Sequence, residues 1–97
     1  MDVVQIEKDL EDLIPGYVAN VKTYVKDMTA QVAAGEFEPI ARTAHNIKGS
    51  GGGYGFMKIT EIGAQLETAA KANNVESIKS LLAQLESYVA NVKIEYV

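Results

Sequence analysis

Cysteine is absent from this 97-residue chain, and histidine occurs only once. Without thiols, neither a disulfide framework nor a thiolate metal site can form. A zinc site would then depend almost wholly on carboxylates, which is an unusual ligand set for that ion. We therefore expect a protein with no disulfide and no bound metal.

Long apolar runs are also missing, since none approaches the roughly 18 residues that are needed to cross a bilayer. The N-terminal stretch MDVVQIEKDLEDL is acidic, whereas a secretory signal begins with basic residues. The net charge of −4 disfavours nucleic acid and anionic membranes as partners. We expect a cytoplasmic protein that binds neither of them.

The chain has little room for a second hydrophobic core. Its hydrophobic fraction of 47% and charged fraction of 23% are typical of a folded globular protein. Residues 1–97 are expected to form a single domain, and a bundle of this size is expected to be a monomer.

Apolar residues recur every three or four positions along most of the chain, which is the spacing of a helix buried on one face. Few alternating runs joined by hairpin turns occur, so a sheet is not expected. The predicted helices are a short one within residues 2–13 and longer ones over 15–34, from about 38 onward, over 58–72 and over 75–93. Short connections favour antiparallel neighbours. The predicted fold is all-α, an antiparallel up-down four-helix bundle with a short additional N-terminal helix.

The stretch AHNIKGSGGGYG, residues 44–55, contains the only histidine and five of the eight glycines. Each glycine inside a helix is less favourable than alanine by about 1 kcal/mol. If a helix continues through this stretch, something must offset this loss of stability. Close helix packing is one possibility, and a flat surface that a partner can approach is another. The alternative is that the helix ends at Gly49 and a loop follows. The sequence leaves the end of this helix open within Gly49–Gly55.

His45 is predicted to point away from the protein core. On a helical wheel it lies about 120° from the centre of the apolar face, which is formed by Phe37, Ile40, Ala44, Ile47 and Gly51. An ordinary exposed histidine would satisfy this geometry. Its neighbours on the same face, however, are Ala41, Lys48, Gly49 and Gly52, whereas an ordinary exposed helix face is filled with long polar side chains.

Acidic residues are missing around this histidine. No Asp or Glu lies between Pro39 and Thr60, whereas Arg42, Lys48 and Lys58 fall in that window. A short window can lack acids by chance. The alternative is a locally basic surface on an acidic protein.

Two enzymatic interpretations fail on spacing. Neither the P-loop pattern nor the dinucleotide pattern of glycines is met, and both require a preceding strand where helix is predicted here. Ser50 points roughly 140° away from His45 on the same helix, so the two cannot form a nucleophile and base pair. A small hydrolase or a metal-dependent enzyme is therefore disfavoured.

The string AHNIKGSGGGYGF, continuing to ITEIGAQLE, closely resembles the histidine-containing phosphotransfer (HPt) domains of bacterial multistep phosphorelays. The positions that match the family pattern are His45, Lys48, Gly49, Ser50, Gly51, Gly52 and Gly55. The resemblance implies that His45, phosphorylated at Nε2, accepts a phosphoryl group from a phospho-aspartate of a receiver domain and passes it to another receiver aspartate. It also implies no kinase activity, no nucleotide site and no cofactor on this chain, with the required Mg²⁺ held by the receiver.

The resemblance assigns roles to further residues. Lys48 is expected to stabilise the phosphoryl group, and Glu67 is expected to accept the Nδ1–H of His45 and so orient the imidazole. The expected docking surface comprises Ala41, Arg42, Gly49, Gly52 and Lys58. The expected partners are response-regulator receiver domains and a hybrid histidine kinase. An alternative is a non-catalytic helical module that binds receivers without phosphotransfer, although the retention of His45, Lys48 and Gly49 argues against it.

Overall fold

The computed structural model describes residues 2–97. Over this range it contains four α-helices, α1 to α4, two short strands, β1 and β2, and two single 3₁₀ turns. Their bounds are β1 Val3–Ile6, a 3₁₀ turn Lys8–Leu10, α1 Ile14–Ala33, α2 Phe37–Gly51, a 3₁₀ turn Gly52–Tyr54, α3 Met57–Lys71, α4 Val75–Asn91 and β2 Lys93–Tyr96.

The four long helices predicted from the apolar spacing are confirmed. Each packs against its neighbour in sequence, and α4 also packs against α1, so the four helices enclose one core. The largest side chains at its centre include Phe56, Met28 and Leu66, all of them fully buried. The antiparallel direction of the helices stays a prediction.

The ends of the helices follow local chemistry. Pro15 lies in the first turn of α1, where its missing N–H removes no helical hydrogen bond. Gly35 follows that helix with a φ of +73°, a backbone conformation that glycine adopts without strain. At the start of α4, the side chain of Asn74 accepts a hydrogen bond from Ser77 N at 3.1 Å.

The prediction for the chain ends is wrong. Residues 2–13 do not form an α-helix; β1 instead pairs in parallel with β2, with Val3 opposite Lys93 and Ile6 opposite Tyr96. The helix α4 ends at Asn91, two residues earlier than predicted, so that the chain can extend into β2. The β-branched residues of β1 suit an extended chain. Successive side chains of a strand point to opposite faces, and the side chain of Ile6 points into the core, where it is almost fully buried.

Over residues 2–97, no helix combines the length and the apolar character that crossing a membrane requires.

Candidate functional site

The helix α2 continues through the first glycines of the 44–55 stretch. It ends at Gly51, the 3₁₀ turn Gly52–Tyr54 follows, and Gly55 has a left-handed φ of +96°. The helix therefore includes Gly49 and carries His45 well inside its length. This observation decides between the two interpretations that the sequence left open.

Only some of these glycines are required by packing. A Cβ added to Gly51 would lie 2.8 Å from Thr60 N, so a larger residue would push α3 away. At Gly49 and Gly53, an added Cβ would meet no atom of residues 2–97 within 4 Å other than its chain neighbours and, for Gly49, the backbone of its own helix. Close packing thus explains Gly51, and it does not explain Gly49 or Gly53.

Gly63 makes the matching close contact from α3. A Cβ added there would lie 2.7 Å from Lys48 N and 3.1 Å from Ala44 O, both atoms of the α2 backbone. The two helices therefore approach closely just beside His45. Gly63 was not among the residues predicted for the site. Its place at the edge of the apolar face of α3, next to Ile62, was an available signal for tight helix packing.

His45 is exposed, and Glu67 lies against it. The imidazole has 64% of its surface exposed, whereas the Glu67 side chain has only 12% exposed. The distance between His45 Nδ1 and Glu67 Oε2 is 3.0 Å. The structure thus brings together two residues that were singled out from separate helices.

Two lysines also bind the Glu67 carboxylate. Lys48 Nζ lies 2.9 Å from Oε1, and Lys71 Nζ lies 3.3 Å from Oε2. The hydrogen bond from Lys48 is the main reason why the pKa of Glu67 is lowered from 4.5 to about 2. The hydrogen bond from Lys71 and the charges of both ammonium groups lower this pKa further, while desolvation opposes them. Glu67 is therefore ionised at neutral pH.

The ionised carboxylate determines the tautomer of His45. Because a carboxylate can only accept hydrogen bonds, Nδ1 must be the donor across the 3.0 Å contact. In the neutral imidazole, Nε2 then carries the free lone pair. The arrangement leaves a nucleophilic nitrogen on an exposed ring, and the Glu67 carboxylate fixes the orientation of that ring.

Lys71 was missed by sequence analysis. It lies four residues after Glu67 on the same helix, at a spacing that places the two side chains side by side. This Glu-to-Lys spacing was a usable signal. With Lys71 included, two ammonium groups surround one carboxylate, so the cluster beside His45 carries one net positive charge and favours an anion.

The predicted docking residues do not lie in one place. Ala41 and Arg42 line an apolar groove beside His45, which Phe37, Ala70 and Lys71 also line. Arg42 itself makes a long, exposed ion pair with Glu38, at 3.9 Å, and such pairs contribute little to stability.

The other three predicted docking residues lie elsewhere. Gly49 and Gly52 lie beyond His45 toward the end of α2, and Lys58 lines a separate groove with Tyr88.

Ser50 points toward α1 rather than toward His45. Its Oγ lies 3.0 Å from the Tyr17 hydroxyl, and the Tyr17 ring stacks on Tyr54 with their centroids 4.3 Å apart. These contacts tie α1 to the end of α2. Tyr17 was predicted neither as a core residue nor as a partner of Ser50.

No group of three or more His, Asp or Glu side chains among residues 2–97 is arranged to hold a metal ion. Comparisons with curated proteins and with solved structures gave no match. The family model described as the Hpt domain matches residues 8–95, far more than half of the chain, and confirms the resemblance found in the sequence. The matched range includes all four helices and the His45, Lys48 and Glu67 cluster. The chain therefore belongs to the Hpt domain family, whose members are phosphotransfer carriers of two-component signalling.

Proposed function

We propose that this protein is a phosphorelay carrier in which His45 Nε2 accepts a phosphoryl group from the aspartyl phosphate of one receiver domain and passes it to the aspartate of another. The observation that carries this proposal is the 3.0 Å contact between Nδ1 and the ionised Glu67 carboxylate. It leaves the opposite nitrogen of an exposed ring free to act as a nucleophile.

This protein and the receiver domain together supply every group that the transfer requires. The Nε2 lone pair attacks the phosphorus of the acyl phosphate, the bond from phosphorus to the aspartyl oxygen breaks, and the aspartate leaves as a carboxylate with the electron pair. Nδ1 keeps its proton, and Glu67 stabilises the positive charge that develops on the ring. In the second transfer, a receiver carboxylate attacks phosphorus, and the P–N electron pair returns to Nε2.

We infer that Lys48 stabilises the transferring group. Its ammonium binds Glu67 Oε1 at 2.9 Å and lies one helical turn from His45, so it can turn toward phosphoryl oxygens as they arrive. Phosphoryl transfer depends mainly on positioning and on charge stabilisation, which are the two contributions that this cluster supplies. The Mg²⁺ ion belongs to the receiver. We propose that this chain has no cofactor and no kinase activity of its own.

Family membership indicates receiver domains of response regulators as partners. We propose that they dock around His45 on a surface that includes Ala41 and Arg42 on one side and Gly49 and Gly52 on the other, and that Lys58, which lines a separate groove, contributes only at the edge of the interface. An open surface at Gly49 and an apolar groove at Ala41 support this choice, because neither obstructs a close approach. The acid-free window suits the carboxylates of a receiver site. We further propose that the chain acts as a monomer and that a hybrid histidine kinase is one source of the phosphoryl group.

The decisive experiment is transfer from a receiver that carries a radiolabelled phosphoryl group. Wild-type protein is expected to acquire an acid-labile label, and His45→Ala is expected to acquire none. Because His45 is largely exposed, its replacement should leave the fold intact, which circular dichroism checks. A label that persists in His45→Ala would refute the site assignment. A wild-type protein that binds receivers and takes no label would instead be a docking module.

The role of Glu67 has its own test. We expect Glu67→Ala to slow transfer without unfolding the bundle, because it removes the acceptor that orients the imidazole. Glu61→Ala is the matched control, since Glu61 is an exposed glutamate on the same helix. Equal transfer rates in the two variants would remove Glu67 from the site.

A further inference from the structure

The hydroxyl of Thr60, on α3, is inserted into the backbone of α2. Thr60 Oγ1 accepts a hydrogen bond from Gly52 N at 2.7 Å and donates one to Lys48 O at 2.9 Å. In a regular α-helix, the N–H of Gly52 would bind the carbonyl of Lys48 directly, since the two are four residues apart. The Thr60 hydroxyl therefore lies between the two backbone groups whose direct hydrogen bond would continue α2 to Gly52.

This insertion coincides with the end of α2. The α-helix stops at Gly51, and the next three residues form a tighter 3₁₀ turn. A side chain inserted into the hydrogen-bond ladder is a recognised cause of local departures from regular helix geometry. Gly51 makes the insertion possible, because a Cβ at that position would lie 2.9 Å from Thr60 Oγ1.

The same face of α3 holds Lys48 at three points. Thr60 Oγ1 binds its carbonyl oxygen, Gly63 packs against its backbone nitrogen, and Glu67 Oε1 binds its ammonium group. Residues 60, 63 and 67 are spaced by three and four, so they lie along one side of the helix. Lys48 is thus held at its main chain and at its side chain by one row of α3.

On the basis of the proposed function, we propose that Thr60 is a positioning residue for phosphotransfer, whose hydroxyl fixes the main chain at Lys48 so that the Lys48 ammonium meets Glu67 beside His45. The hydroxyl suits this position because it can accept from one backbone group and donate to another at the same time. A methyl group of the same size fills the space and does neither. Thr60 touches no reacting atom and acts only through Lys48 and Glu67.

The test compares three variants in the labelled transfer assay, with initial rates measured over a range of receiver concentrations. Thr60→Val keeps the shape and removes the hydroxyl, whereas Thr60→Ser keeps the hydroxyl and removes the methyl group. The matched control is Thr29→Val, because the Thr29 hydroxyl donates to Val25 O at 2.7 Å within α1, away from the site. Thermal melting of each variant separates effects on stability from effects on transfer.

We expect Thr60→Val to lower the rate at saturating receiver about tenfold, because small displacements of catalytic groups have large effects on rate. The receiver concentration that gives half the maximal rate should not change. Thr60→Ser and Thr29→Val should stay within about twofold of the wild type. If Thr60→Val does not fold, Thr60→Cys replaces it. Its rate at saturating receiver should fall below those of the wild type and of Thr60→Ser, since a thiol is only a weak donor and acceptor, and a wild-type rate would overturn the proposal.

Three results would overturn the proposal. They are a wild-type rate in Thr60→Val, an equal loss in Thr60→Ser, and a loss confined to the half-saturating concentration. If the wild-type protein takes no label, the proposed function fails, and the effect of Thr60 is then read from the imidazole ¹⁵N signals of His45. Thr60→Val should shift these signals and Thr29→Val should not, whereas unchanged signals in Thr60→Val would refute positioning by Thr60.

Discussion

Replacing Gly63 with alanine tests the close approach of α2 and α3. The added Cβ would lie 2.7 Å from Lys48 N, 3.1 Å from Ala44 O and 3.1 Å from Lys48 Cα. All three are backbone atoms of α2, so no flexible side chain can move aside. Ordinary contact begins at 3.4 Å, so the two helices must separate by about 0.7 Å to restore it.

The expected loss of stability follows from two opposing effects. Overpacking of a well-packed core costs about 1–3 kcal/mol, and because the atoms met here are backbone, we expect about 2–3 kcal/mol at this site. Alanine recovers about 1 kcal/mol through its higher helix propensity. The net loss for Gly63→Ala should be about 1–2 kcal/mol in the free energy of unfolding. For a domain of this size, that loss corresponds to a fall of about 5–15 °C in Tm. Urea denaturation and thermal melting followed by circular dichroism measure both quantities.

Gly49→Ala provides the matched control in the adjacent helix. An added Cβ at Gly49 would meet no atom of the described chain, residues 2–97, within 4 Å other than its chain neighbours and the backbone of its own helix. The same substitution should therefore raise stability there, by about 0.5–1 kcal/mol. The reasoning is refuted if Gly63→Ala melts at or above the wild-type temperature, or if Gly49→Ala is destabilised to the same extent as Gly63→Ala.

Two further predictions concern Glu67 and Gly55. Since the folded-state pKa of Glu67 is about 2 and its ordinary value is 4.5, its contribution to stability should be complete above pH 4.5 and lost as the pH falls toward 2. Glu67→Gln should flatten the free energy of unfolding against pH in that window, and an unchanged slope would contradict the ion-pair cluster. Gly55→Ala should destabilise the fold by about 1–2 kcal/mol in urea denaturation, because Gly55 has a φ of +96° and an added Cβ would lie 3.1 Å from Ile6 Cγ1. A wild-type midpoint would show that this turn adapts to a side chain.

Much of the helical architecture was predictable because amphipathic spacing is a local property. The apolar positions of α1 and α4 recur with the helical period, so the buried face of each helix can be identified without knowing its partner. The same periodicity placed His45 on the exposed side of α2. Family membership then followed from a short motif around His45 together with its helical context.

The end of α2 was not predictable from the glycines alone. Gly49 and Gly51 have the same helix propensity, yet only Gly51 is required by packing. The helix stops where the Thr60 hydroxyl, from another helix, binds Gly52 N and Lys48 O. Neither helix, taken alone, contains this information.

The sequence by itself determined which faces of the four helices are buried, where the single imidazole points and to which family the chain belongs. Only the tertiary structure decided the register of α2 against α3, which brings Lys71 and Gly63 to the His45 cluster, and the pairing of β1 with β2. The reason is physical. Burial along a helix repeats with the period of the backbone and is written in neighbouring residues, whereas helix register and strand pairing depend on contacts between atoms far apart in the chain, such as those of Val3 with Lys93.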